Sequence, residues 1–158
     1  LHPYPSTPRV VSLAPFYSVL GILPFFVKAN LLNQTYKNME MVIGDDCSPN
    51  LGDHLEAVRG LAGIDNLTIF TLTERIPWSI PDIVNIAMVI HPSDILILNG
   101  SDSIMFPDGA EKHVSVQVNR GAALIEGQGF LASKFEEIQI LNNPDLIGKI
   151  QYKNRHHP

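Results

Sequence analysis

The stretch "QTYKNMEMVIGDDCSPN", residues 34–50, decides how this chain folds. An apolar run from Met39 to Ile43 reads as a buried strand, and it stops at Gly44 before two adjacent aspartates, Asp45 and Asp46. Two like charges side by side are unfavourable unless something nearby compensates them. One reading is a solvated turn in which an aspartate caps the next helix. The other is a ligand edge, because a carboxylate at a strand end can hold a hard cation that shares its oxygens with phosphates.

Working outward, the pattern alternates. Val10–Ala14 reads as a strand closed by Pro15. Leu20–Asn33 reads as a helix with Pro24 in its first turn or at a kink. After the second strand, Glu40–Gly44, comes an amphipathic helix, Leu51–Leu61, with Ser48 and Asn50 as candidate N-caps. Leu67–Leu72 is the third strand, Pro81–Ile90 the next helix, and Ile95–Leu98 the fourth strand. Pro107–Val118 opens with proline and acids, as a helix start prefers. Ala122–Ile125 reads as a further strand and Asp145–Ile150 as a last short helix. Such alternation defines an α/β fold with a largely parallel sheet, in which ligands bind beyond the carboxyl ends of the strands. Both polar clusters, "GDDCS" (44–48) and "NGSDS" (99–103), fall at that edge. The second also reads as a plain Asn-Gly turn.

Composition narrows the classes. With 158 residues, 45% of them hydrophobic and 17% charged, the chain reads as one domain with a real core. A formal net charge of −5 offers no general attraction to nucleic acid or anionic membranes, so an anionic ligand must be handled locally. The single cysteine, Cys47, leaves no internal disulfide and suits a reducing compartment, hence an expected cytoplasmic location. No apolar run reaches membrane-span length, and "LHPYPSTPR" (1–9) lacks the regions of a signal peptide. The chain reads as a piece of a longer protein. In a cytoplasmic setting the Asn-x-Ser/Thr matches at Asn33, Asn66 and Asn99 carry no weight. Neither GxGxxG nor GxxxxGK[ST] is present, so the usual nucleotide-phosphate loops are missing.

Four pieces then occur in order: "VVSLAPFYS" (10–18), "LLNQTYKNMEMVIGDDCSPN" (31–50), "IPWSIPDIVNIAM" (76–88) and "DILILNGSDSIMFPDGAEKHV" (94–114). Together they resemble the family 2 glycosyltransferases, firmly from residue 9 to about 118 and weakly to 150. That resemblance implies a single GT-A domain over residues 1–158: a Rossmann-like three-layer α/β/α sandwich with a mostly parallel central sheet, lacking part of the acceptor-binding region. It implies a nucleotide-diphosphate sugar donor, usually a UDP-sugar, a saccharide or other hydroxyl acceptor, inversion at the anomeric carbon, and Mn²⁺ or Mg²⁺ as cofactor.

By the same resemblance Pro15, Phe16 and Tyr17 border the nucleobase. Asp46 accepts a hydrogen bond from the base and Asp45 supports the loop. Arg75 lies near the nucleotide, Asn85 matches the asparagine of the family's A-R-N helix, and Ser101 and Asp102 match the last two positions of its D-x-D-D, with Asp102 as metal ligand. The chain departs from the family in three places. Asn99 and Ser101 replace acids, Ser18 replaces the asparagine after P-x-Y, and Asn142 and Asn143 stand where Glu-Asp would supply the catalytic base. Glu136 and Glu137 are substitute bases or a solvated turn.

The remaining residues read more plainly. Cys47 follows two acids, which disfavours a reactive thiolate, and reads as a spacer. His54 and His113 stand apart from other candidate ligands. Trp78 reads either as lining the donor pocket or as a packed lid. Two other classes compete with a transferase: a relative that only binds nucleotide, and a receiver-like α/β domain, for which Lys134 is poorly placed.

Overall fold

A computed structural model describes residues 4–18, 20–61 and 64–120. Its centre is a four-stranded parallel sheet in the order β3-β2-β1-β4. The strands are β1 (Val10–Phe16), β2 (Met39–Asp45), β3 (Leu67–Thr71) and β4 (Ile95–Leu98). Chain order runs outward from β1 through β2 to β3, then returns to the other side of β1. Where that direction reverses, between β1 and β4, helices on opposite faces diverge and leave a crevice.

Odd and even strand positions explain the layers. Val10, Ala14, Phe16, Met41, Ile43, Ile95 and Ile97 pack on one face with Leu23, Phe26, Val27, Val58, Ala110 and Val114. These come from α1 (Leu23–Val27), α2 (Leu51–Arg59) and α4 (Gly109–Arg120). Val11, Leu13 and Val42 face the opposite way, against Ile83 and Ala87 of α3 (Ile80–Ile90). The result is the three-layer α/β/α arrangement.

Several boundaries differ from the sequence reading, each for a local reason. Pro15 does not end β1. The carbonyls of Arg9 and Leu13 bond toward β4 while that of Phe16 bonds toward β2, so Pro15's absent N–H falls on the β4 side. The β4 ladder already stops at the Leu13–Leu98 pair, and no bond is lost. The first helix changes pitch along its length: a 3₁₀ turn (Leu20–Ile22), then α1 carrying Pro24 in its first turn, then a π-turn (Lys28–Leu32). The π-turn closes with Asn33 N–H donating to the Lys28 carbonyl at 2.9 Å. Neither Ser48 nor Asn50 caps α2 through its side chain; Asn50 precedes the helix at φ 60° with no such bond. Helix α2 ends at Arg59 rather than Leu61, and α4 begins at Gly109, two residues after Pro107. The expected strand Ala122–Ile125 and helix Asp145–Ile150 lie outside the described residues.

Candidate functional site

The two aspartates part company. Asp45 is the last residue of β2, paired with Phe16 and Thr71, and fully buried. Its Oδ2 accepts from Ser48 N–H at 2.9 Å and from the Thr71 hydroxyl at 2.8 Å. Ser48 Oγ in turn accepts from Ser18 N–H at 2.8 Å, so one relay ties together the ends of β3, β2 and β1. The other oxygen of Asp45, Oδ1, is buried without a hydrogen-bond partner among the described residues.

Asp46 turns the other way. Its backbone N–H still donates to Phe16 at 2.8 Å, but its side chain lines an open cleft. The carboxylate accepts from Ile76 N–H at 3.3 Å and stands 4.0 Å from Arg75 Nε. Arg75 lies 3.9 Å over the Tyr17 ring and donates to the Tyr17 hydroxyl at 3.2 Å. The cleft encloses about 330 Å³ between Pro15, Phe16, Tyr17 and Asp46 on the strand side, Trp78, Ser79, Ile80 and Ile83 on the α3 side, and Ser101 after β4. That is the size of a small-molecule site, at the edge where an α/β sheet binds ligands.

Gly44 makes this wall possible. A Cβ there would meet Ile83 Cγ2 at 2.2 Å and Phe70 at 2.9 Å, so only glycine lets α3 descend onto the strand end.

The loop after β4 is anchored from below. Gln34 is fully buried, its amide nitrogen donating to the carbonyls of Ala29 and Phe106, both at 2.9 Å, and its oxygen accepting from Ala110 N–H. Asn30, on the π-turn, donates to the Ser103 carbonyl at 3.0 Å and accepts from Met105 N–H at 2.7 Å. Thr35 adds a backbone bond to Pro107 and a hydroxyl bond to Glu111. Asn30, Gln34 and Thr35 therefore clamp the Ser103–Glu111 segment that directly follows Ser101 and Asp102.

Asn99 points inward: it is buried, and its amide donates to Ser12 at 2.6 Å. Asp102 is exposed at the turn, its carboxylate folded back over Gly100 and near Ser103 Oγ, and it does not line the cleft. Among the described residues no three His, Cys, Asp or Glu side chains gather as a metal cluster. Asn85 is exposed on α3, away from the cleft lining. Trp78 lines the cleft and is 91% exposed, which excludes a packed lid. Glu136, Glu137, Asn142, Asn143 and Lys134 lie outside the described residues.

Sequence reasoning missed Ser79, Ile80 and Ile83 as cleft wall and Asn30 as an anchor. A polar residue at the spacing of the buried helix face was the available signal for Asn30. No local signal marks the first three.

Such a sheet, with its crevice at the β1/β4 reversal, is the GT-A fold of nucleotide-sugar glycosyltransferases, and solved structures of such enzymes superpose on it. A mannosyltransferase from Pyrobaculum calidifontis, in complex with GDP-Man and Mn²⁺, matches with a TM-score of 0.55 at 21% identity over 66% of this chain and 31% of its own. TarS from S. aureus in complex with UDP-GlcNAc (residues 1–349) matches with a TM-score of 0.61 at 17% identity, over 81% of this chain and 38% of its own. A further S. aureus TarS structure gives 0.60 at 17% identity, over 81% of this chain and 24% of its own. The chain thus spans well under half the length of each. No protein-family model matches the sequence, and no curated protein matches it.

Proposed function

We propose that this chain is the donor-binding part of a glycosyltransferase that moves a sugar from a nucleoside-diphosphate donor, a UDP-sugar, to an acceptor hydroxyl. The observation that carries the reading is Asp46: a carboxylate held by Ile76 N–H and Arg75, yet open to a cleft of ligand size beside Tyr17. A fixed carboxylate suits the N–H edge of a nucleobase, and an aromatic ring suits its face. Pro15 and Phe16 close the base end, while Ser101 faces the phosphates.

Asp102, next to the cleft residue Ser101, is the residue that would hold Mn²⁺ or Mg²⁺, its carboxylate turning from Gly100 toward the cleft to do so. With Asn99 bonded to Ser12, it is the single carboxylate of its loop, so phosphate and water oxygens must complete the coordination, as Mg²⁺ sites commonly allow. When bound, the cation offsets negative charge gathering on the departing diphosphate. Transfer with inversion also needs a base for the acceptor hydroxyl, typically worth about 10²–10⁴-fold. Asn143 lacks the basicity, which leaves Glu136 and Glu137 as candidates.

A second reading, that the chain binds its donor but transfers sugar poorly, is favoured by the inward-turned Asn99 amide where the resemblance has an acid. Calorimetry with UDP and with GDP tests the first reading; absence of binding by either would overturn it. Transfer at about one turnover per second or faster, on a panel of UDP-sugars and acceptors, would overturn the second.

A further inference from the structure

Helix α3 points its amino end into the cleft, and the two residues before it are bent in opposite senses. Trp78 has φ 63°, in the left-handed region, and Ser79 has φ −60° and ψ −14°. A left-handed residue followed by a right-handed one turns successive backbone N–H groups toward one side, forming a concavity that receives anions. The N–H groups of Trp78 and Ile80 have no acceptor among the described residues, while that of Ser79 closes the hydrogen-bonded turn at Pro77–Trp78. Pro81, next along, has no N–H to offer. The eleven-residue helix adds its positive end.

A helix start alone would mean little. Here the Ser79 side chain gives independent testimony: the residue is only 6% exposed, lines the cleft, and its hydroxyl has no hydrogen-bond partner among the described residues. It does not cap its own helix either. The charges facing this spot are Asp46 across the cleft, which Arg75 attends at 4.0 Å, and Asp82, exposed in the first turn of α3.

We propose that the diphosphate of the nucleotide donor sits on the amino end of α3, received by the Ser79 hydroxyl and by the N–H groups of Trp78 and Ile80. Trp78 is held left-handed because that conformation opens the cradle. The assignment rests on reading the cleft as a nucleotide site. It makes part of the phosphate affinity independent of any cation, which suits a loop with one carboxylate.

The test is calorimetry of uridine and UDP in the presence of a chelator. The parent is expected to bind UDP at least about tenfold more tightly than uridine, the scale of one charge-assisted hydrogen bond. In Ser79→Ala the preference shrinks severalfold while uridine binding holds. In Trp78→Pro, which forces φ near −65°, it falls toward unity; in Trp78→Gly, which accepts positive φ, it persists. Equal binding of uridine and UDP by the parent, or equal loss of both in Ser79→Ala, overturns the assignment to α3. Binding of neither ligand overturns the nucleotide reading itself, so the two failures are distinct.

Discussion

The two ends of the sheet treat their carboxylates in opposite ways, although the amino end also keeps one buried oxygen without a partner among the described residues, Ser93 Oγ. At the amino end, Glu40 is bonded on both oxygens, to Arg9 Nη2 at 2.7 Å and to His91 Nδ1 at 2.9 Å. Arg9 N–H donates to Asp94 at 2.8 Å, and the Arg9 carbonyl accepts from Asp94 and Ile95. At the carboxyl end, Asp45 keeps a buried oxygen without a partner among the described residues, and Ser79 and the start of α3 keep unanswered donors. Every non-glycine residue with positive φ among the described residues also falls there: Ser18, Cys47, Asn50 and Trp78. Each such conformation costs roughly 1–3 kcal/mol and persists only where its surroundings impose it. One end spends its polarity on stability. The other carries strain and holds its polarity ready.

The comparison breaks most readily at Gly44. Gly44→Val would drive side-chain atoms into Ile83, and overpacking of this kind costs about 1–3 kcal/mol or more. We expect the largest fall in Tm of any substitution at the cleft, with partial recovery in Gly44→Val/Ile83→Ala; a Tm unchanged from the parent would show that α3 does not rest on the strand end.

Asp46→Ala should separate binding from folding. UDP affinity is expected to fall about ten- to a hundredfold, the equivalent of ~1.5–3 kcal/mol, with the far-UV spectrum unchanged. If the folded variant binds UDP as the parent does, Asp46 is not the reader of the base. Asp45→Asn should do the reverse, loosening the Ser18–Ser48 loop contacts with a smaller effect on affinity.

At the amino end the signature is pH. Burial alone would raise the Glu40 carboxyl, but the hydrogen bonds from His91 and Arg9, with their charges, bring it below its ordinary 4.5. Because the folded value is depressed, this stabilisation is complete above about 4.5 and drains away as pH falls through the lower, folded value. Glu40→Gln should flatten that part of the acid stability curve, by under about 1 kcal/mol for a half-buried surface pair. An unaltered curve would mean that the pair adds nothing. The smallest effect belongs to Lys112→Ala, which removes an exposed i,i+4 pair with Asp108 at 2.7 Å and should shift stability by less than about 0.5 kcal/mol in thermal melts.

Much of this was legible in the sequence because it is local. The apolar run of 39–43, the turn chemistry at Asn99-Gly100 and the alternation of periods fix strands, helices and the edge where acids collect. What escaped reading depends on contacts between distant segments. Ser79 is a cleft residue only because Gly44 admits α3, and Pro15 stays in its strand only because the β4 ladder ends two residues earlier, at Leu13. Asn99 resembles a ligand-facing position until its amide is seen bonded to Ser12, 87 residues away.

The π-turn at Lys28–Leu32 has a consequence for chain length. Such a turn holds one residue more than an α-helical turn of the same span. Deleting any residue from it would rewind the segment and swing the helix on its amino side by about 100° relative to the chain on its carboxyl side. Asn30 and Gln34 could then no longer both face the Ser103–Ala110 segment. Substitutions along this stretch are therefore open to choice wherever the side chain is exposed, but its residue count is not. A shortened variant would mislay the far side of the cleft while leaving every residue of the cleft unchanged.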